Sequence, residues 1–198
     1  VNPIEYLRAF KIGLTGVKPL TLAAGAPEGV ETITPAPGDK FEVTIPIDGD
    51  KPFHGLGFYV SWPACVKPLM RKKTGSEEME PTWAPGDIWA GRSLDAAVNL
   101  PGDGSRIYVS LSVDKGQQPV VGDGKNFVTL TFEASDVEGE GSIYISDVKP
   151  LRWKADGTFE RLTCEVGAIE NHFAFSVEEP PYTGDDGTMI VRVVVRKI

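Results

Sequence analysis

Cys65 and His54 are the closest this sequence comes to a nucleophile with a base beside it. A cysteine attacks as its thiolate and needs an activating context, and neither an elbow nor an orienting partner surrounds these residues. The 28 Asp plus Glu could supply two carboxylates for a glycosidic bond, but no spacing singles out a pair. GxGxxG, the phosphate-binding GxxxxGKS/T loop and HExxH are absent, which removes the local signatures of nucleotide binding and of common metalloproteases. Asp48, Asp50, Asp103, Asp123, Asp156, Asp185 and Asp186 stand beside glycines or in Gly-flanked pairs. They lack the EF-hand offsets and closing glutamate, so they are expected to make turns rather than bind calcium. His54 and His172 are expected to be structural or surface residues, and two histidines with two distant cysteines are too few for a structural zinc site. Separate buried thiols are expected at Cys65 and Cys164, although nothing in the sequence forbids their pairing. No catalytic residue, metal site or intrinsic cofactor is therefore assigned, and the chain is not expected to be an enzyme.

What does recur is a pair of side chains two residues apart: Tyr59 with Ser61, Tyr108 with Ser110, and Tyr144 with Ser146. Residues i and i+2 of a strand share a face. With Leu56, Phe58 and Val60, Ile107, Val109 and Leu111, and Ile143 and Ile145 turned inward, each Tyr-Ser pair turns outward. Were the three strands neighbours, they would offer rigid aromatic area and hydroxyl hydrogen bonds on one flat surface, a mixture favoured at protein interfaces.

The elements that carry these pairs are strands. Phe41, Val43, Ile45 and Ile47 alternate with polar residues after the turn Pro37, Gly38, Asp39; Leu56 to Val60 forms a second strand, ended by Trp62 and Pro63. Residues 65–70 read as a short edge strand because Pro68 cannot donate to an interior ladder. Residues 71–80, with Arg71, Lys72 and Lys73 ahead of Glu77, Glu78 and Glu80, read as a solvated polar connection. Residues 83–94 read as a strand fragment or ordered loop that 96–98 extend poorly. Clean strands return at 107–113, 127–132 and 142–148, followed by 162–166, 172–177 and 189–195. Residues 4–14 read as a short amphipathic helix or a strand that begins an extension, the strand ending at Gly13 to Gly16 being preferred. Gly at 22 and Pro at 16 suit a fold with many turns, and the expected class is all-β, a two-layer antiparallel β-sandwich. No apolar run approaches the roughly 20 residues of a membrane span, so a soluble chain is expected. The chain opens at Val1 without a basic and apolar leader, so compartment is not read directly. A net charge of -8 argues against nucleic acid as a partner.

The order of elements resembles a cohesin module, the receptor half of the cohesin–dockerin pair that assembles cellulosomes. Three segments carry the resemblance. Pro37-Gly38-Asp39-Lys40-Phe41-Glu42-Val43-Thr44-Ile45-Pro46-Ile47 is similar to the turn and strand near a cohesin's start. Gly55-Leu56-Gly57-Phe58-Tyr59-Val60-Ser61-Trp62-Pro63 is similar to the strand ending in a Tyr-Asp-Pro-like element, without its aspartate. Val128-Thr129-Leu130-Thr131-Phe132-Glu133-Ala134, then Gly141-Ser142-Ile143-Tyr144-Ile145 and Cys164-Glu165-Val166-Gly167, is similar to the family's closing strand order.

The resemblance implies a single β-sandwich domain over 1–198 with jelly-roll topology, a cohesin-like core at about 30–170 and terminal extensions. It implies a noncatalytic receptor that binds a dockerin-bearing protein in the assembly or surface attachment of polysaccharide-degrading enzymes, outside the cell or at its surface. Calcium would belong to the dockerin. In the family the third, fifth, sixth and eighth strands form the binding sheet. Carried onto this chain, these are the strand bearing Tyr59, the 83–89 region, and the strands bearing Tyr108 and Tyr144. The partner-binding set is then Tyr59, Ser61, Trp83, Trp89, Tyr108, Ser110, Tyr144 and Ser146. The leading alternative is a carbohydrate-binding module using Trp62, Trp83, Trp89 and Trp153 with the tyrosines. A self-associating structural jelly roll ranks after it, and an enzyme last.

Overall fold

Strict alternation is the rule that builds this molecule. In the segment Arg106–Val113 every second side chain is buried, and the segment Lys40–Ile47 buries Phe41, Val43 and Ile45 while Lys40, Glu42 and Thr44 are more exposed. Such a strand has one apolar face and must cover it with another layer.

The computed structural model describes residues 10–11, 32–33, 35, 37–47, 52–137, 139–154, 156, 158–162, 172–174, 189–190 and 194–197. The first strands are β1 (Phe10–Lys11), β2 (Thr32–Ile33), β3 (Lys40–Ile47), β4 (Gly55–Ser61) and β5 (Val66–Pro68). Next come β6 (Met70–Lys72), β7 (Met79–Pro81), β8 (Trp83–Pro85), a 3-10 turn at Asp87–Trp89, β9 (Leu94–Asn99) and β10 (Arg106–Val113). They are followed by β11 (Lys125–Ala134), β12 (Glu140–Gly141), β13 (Tyr144–Trp153) and β14 (Phe159–Arg161). The last are β15 (His172–Ala174), β16 (Met189–Ile190) and β17 (Val194–Lys197). Among the described residues no helix is long and apolar enough to cross a membrane.

Two sheets form the sandwich. The first runs β14-β13-β4-β10-β9; the second runs β17-β3-β11-β5, with β8 beside β5 on the same edge of β11. Every pairing within them is antiparallel. The chain passes from β3 to β4, back to β5 and β8, over to β9 and β10, back to β11, over to β13 and β14, and returns with β17. That alternation between layers is the jelly-roll order, and the all-β two-layer sandwich expected from the sequence is the fold observed. Between the layers, Phe58, Val60, Ile107, Val109 and Leu111 meet Phe41, Val43, Ile45, Leu130 and Phe132, all fully or almost fully buried.

Several local expectations change. Residues 71–80 are mostly exposed, as expected of a solvated connection, but they also form part of a hairpin, β6 against β7, in which Arg71 pairs with Glu80 at 2.9 Å and Lys72 with Glu77 at 2.5 Å. Arg71 and Glu80 face each other across the ladder, where their attraction supports the register, while Glu77 reaches Lys72 from the turn. This hairpin interrupts one edge strand of the second sheet. The chain leaves it at Leu69, whose N–H donates to the Thr131 carbonyl (2.9 Å), and rejoins at Thr82, whose carbonyl accepts the Thr131 N–H (2.9 Å).

Residues 96–98, expected to continue a strand poorly, belong to the regular strand β9 paired along β10. β13 runs past Val148 to Trp153, with a register shift after Ser146. Leu162 follows β14 outside any strand, while residues 163–166 lie outside the described residues; so do 175–177 and all of 4–14 except Phe10–Lys11.

Candidate functional site

The outward faces of β9, β10, β4 and β13 form a lattice set by register. One row across the sheet is Arg106, Ser61 and Tyr144; the next is Asn99, Tyr108, Tyr59 and Ser146. A third row is Ala97, Ser110, Gly57 and Lys149, and a fourth is Asp95, Ser112, Gly55 and Leu151. Tyr59, Ser61, Tyr108, Ser110, Tyr144 and Ser146 thus share one surface, because each sits two residues from the next outward position while Val60, Val109 and Ile145 anchor the inward side.

The two tyrosines at the centre are direct cross-strand partners, with ring centroids 5.2 Å apart and a tilt of 49°. Arg106 places its guanidinium carbon over the Tyr59 ring, 4.0 Å from its centroid, a cation-π contact beside the tyrosine pair. Gly57 lets Tyr108 lie across the sheet: a Cβ there would stand 3.3 Å from the Tyr108 hydroxyl. Gly55 is more restricted still, since a Cβ would meet the Ser112 Cβ at 2.6 Å. At the end of the second row the register shift after Ser146 is accompanied by Asp147 at φ 57, a left-handed value that projects the Asp147–Lys149 pair from the strand.

Apart from Lys149, which pairs with Asp147, the central polar side chains of this lattice have no partner among the described residues. Among the described residues, the side chains of Tyr59, Ser61, Tyr108, Ser110, Tyr144, Ser146 and Arg106 make no hydrogen bond or ion pair. Six hydroxyls and one cation are left with donors and acceptors to offer.

Trp83 and Trp89 do not belong to this surface, which corrects the expectation that the 83–89 region supplies one of its strands. β8, carrying Trp83, pairs with β11 in the second sheet. Trp89 is only 3% exposed. Its indole N–H donates to the Phe127 carbonyl at 2.9 Å and its ring meets Phe127 edge-on at 5.1 Å. The cause is an irregularity in β11: the ladder shifts between Asn126 and Val128, and the groups freed there are taken up by the 3-10 turn. Besides Trp89, the Gly86 N–H donates to the Phe127 carbonyl at 2.9 Å, and the Asn126 N–H donates to Asp87 Oδ1 at 2.7 Å. The fourth strand of the tyrosine surface is instead β9, with Asp95, Ala97 and Asn99. The sequence reading also missed Arg106, although it stands two residues before Tyr108 and shares its face by parity.

The remaining candidates are structural. His54 is buried; its Nδ1 accepts the Trp153 N–H at 3.0 Å, so this nitrogen carries no proton. Burial, aided by the charge of Arg152, holds its pKa below the ordinary value. Cys65 is a fully buried free thiol, pushed up to about 11 chiefly by burial, and is not a thiolate near neutrality. Cys164 and His172 supply no side chain among the described residues. Asp103 accepts the Ser105 N–H at 3.1 Å and Asp156 accepts the Thr158 N–H at 2.9 Å, the turn role expected of them. Asp123 and Gly124 have φ of 50° and 70°, closing the turn before β11. Asp48, Asp50, Asp185 and Asp186 lie outside the described residues. No group of three His, Cys, Asp or Glu is placed to hold a metal among the described residues.

The tryptophans of the sugar-stacking set are mostly packed against the core. Trp62 packs edge-on to Phe132, Trp83 is half-buried against the core with Arg71 near its ring, and Trp153, at 36% exposure, is the most open of the four.

No protein-family model matches the sequence, and no curated protein matches it. Among solved structures, the chain is similar to a non-cellulosomal cohesin from the hyperthermophilic archaeon Archaeoglobus fulgidus, with 11% identity, a TM-score of 0.46, and coverage of 94% of this chain and 88% of that one. It is similar to a type II cohesin domain from the cellulosome of Acetivibrio cellulolyticus at 11% identity and TM-score 0.47, covering 77% and 86% of the two chains. It is also similar to the sixth cohesin of that organism's scaffoldin B, solved in complex with a mutant Cel5 dockerin, at 12% identity and TM-score 0.48, covering 85% and 98%. What the tyrosine surface can do is read from its own residues.

Proposed function

We propose that this chain is a noncatalytic protein-binding module, a single sandwich domain whose recognition surface is the outer face of β13, β4, β10 and β9. One observation carries the reading: six hydroxyls, a tyrosine pair and a stacked arginine lie on adjacent registers of one sheet without a partner inside the described protein. A rigid aromatic centre ringed by unused hydrogen-bonding groups is suited to a preformed partner surface, since little side-chain entropy remains to be lost when it is covered.

The sequence resemblance to cohesins supplies the partner class, a dockerin-bearing protein whose calcium lies in the dockerin. The setting would be assembly or attachment of polysaccharide-degrading enzymes outside the cell or at its surface. The test is calorimetric titration against a panel of calcium-loaded dockerins, with cellulose and xylan oligosaccharides as parallel ligands. One-to-one binding to a dockerin, weakened at least tenfold by Tyr108→Ala, is the expected result. Binding to the sugars alone would move the function to the tryptophans, and binding to neither would remove the dockerin from the proposal.

A further inference from the structure

We propose that Arg106, held on the Tyr59 ring, is a carboxylate-binding anchor, so that the partner of this face presents an aspartate or glutamate side chain at that point. The inference rests on the recognition role of the tyrosine surface and names the chemistry that one corner of it selects. A guanidinium that meets an aromatic ring through its flat face keeps its N–H donors in the plane, directed past the ring's edge. The Arg106 guanidinium carbon lies over the Tyr59 ring, 4.0 Å from its centroid, close enough for such a contact. A carboxylate meets a fork of two parallel N–H groups with both oxygens, and the contact is stronger than a neutral hydrogen bond.

Arg106 is uncommitted. Among the described residues it makes neither an ion pair nor a hydrogen bond, although Lys67, Arg71, Lys72, Lys73 and Lys149 each have an acidic partner within 4.0 Å. Asp103 accepts the Ser105 N–H, and the hydrogen bonds from Ser105 first, then the charge of Arg106, hold its carboxyl below the ordinary value. Around the guanidinium the register places Ser61 as direct partner, Tyr144 beyond it, and the tyrosine pair on the adjacent row. One cation among neutral hydroxyls matches a singly charged carboxylate. A phosphate would call for several converging cations or backbone N–H groups. Tyr59 holds the side chain in place before the partner arrives, so less freedom is lost on binding.

The experiment is a 15N NMR titration of the full chain with sodium acetate at constant ionic strength, with sodium chloride and inorganic phosphate in parallel. Acetate is expected to shift the Arg106 Nε–H and the amides of Ser61 and Tyr108 along a saturating curve. Chloride should not saturate, and phosphate should bind no more tightly than acetate. Arg106→Lys keeps the charge but removes the fork, and is expected to abolish saturation; Tyr59→Phe, which keeps the ring, should retain it. Absence of saturable shifts, an equal response to chloride, tighter phosphate binding, or an unchanged curve in Arg106→Lys would each overturn the anchor. In the dockerin titration, Arg106→Ala with affinity within twofold while Tyr108→Ala loses tenfold would reject the anchor and leave the face. Saturable acetate binding with no dockerin bound would do the reverse to the dockerin assignment.

Discussion

The outer faces of the two sheets are built from the same alternation but differ in how their central polar side chains are used. On the second sheet, polar side chains find one another: Thr44 Oγ1 lies 3.2 Å from Thr129 Oγ1, and Lys67 pairs with Glu133 at 3.3 Å. On the first, Tyr59, Tyr108, Tyr144, their serines and Arg106 stack or stand beside one another but leave their polar atoms unused among the described residues. A polar pair already made within a sheet gains little in hydrogen bonding from a partner, whereas donors and acceptors left free can exchange water for a partner's groups. The proposed recognition role of the first sheet rests on this difference.

Substitutions can break that comparison at several levels. The largest effect should come from the core both faces share. Phe58, fully buried and 5.7 Å from Phe127, is expected to cost about 3–5 kcal/mol on truncation to alanine. Chemical denaturation would register the loss, and binding would fall only as the folded fraction falls.

The comparison itself is sharpened by a crossed pair of variants. Tyr108→Ala is expected to weaken the partner at least tenfold, about 1.4 kcal/mol, while Thr129→Val is expected to leave binding unchanged. In unfolding experiments Thr129→Val should lose about 1 kcal/mol, because Thr44 then keeps a half-buried hydroxyl without its partner. If Thr129→Val impaired binding as much as Tyr108→Ala, the two faces would not differ in the way described.

A third expectation concerns pH. The folded-state pKa of His54 is depressed by burial first and by Arg152 second. As pH falls below about 6.5, its ordinary value, the unfolded chain binds the proton more readily than the folded one. The stability present above that pH is then progressively lost. Protonation also removes the acceptor for the Trp153 N–H near the end of β13. Urea midpoints measured from pH 8 to pH 5 should decline in the parent and flatten in this region in His54→Gln. The smallest effect belongs to the hairpin: its Arg71–Glu80 pair lies partly in solvent, and Arg71→Ala should shift stability by under about 1 kcal/mol and leave the tyrosine surface intact.

Sequence periodicity carried much of the architecture. The alternating apolar sets of β3, β4, β10 and β11, with turn residues between them, are enough to specify two half-buried layers, because a one-residue slip would put every apolar side chain into water. The parity of Tyr59, Tyr108 and Tyr144 with their serines was equally legible, since it depends only on counting by twos. β9 was harder to see. Its Asp95, Ala96 and Ala97 lack strand-like pattern, and pairing with β10 makes the strand.

The tryptophans mark where local reading ends. Nothing in residues 83–89 indicates that Trp89 will close a gap opened by an irregularity at Phe127, 38 residues later, or that β8 will join β11 rather than the tyrosine strands. Arg106 obeys the same parity as Tyr108, but its stacking on Tyr59 is a contact between two strands. By itself the sequence determined which residues face in and which face out, because that follows from the strand's own two-residue period. Which strands became neighbours, and therefore which outward groups met partners and which were left free, only the tertiary structure decided. Pairing across a sheet depends on how distant segments jointly fill one core, and no local pattern encodes that sum.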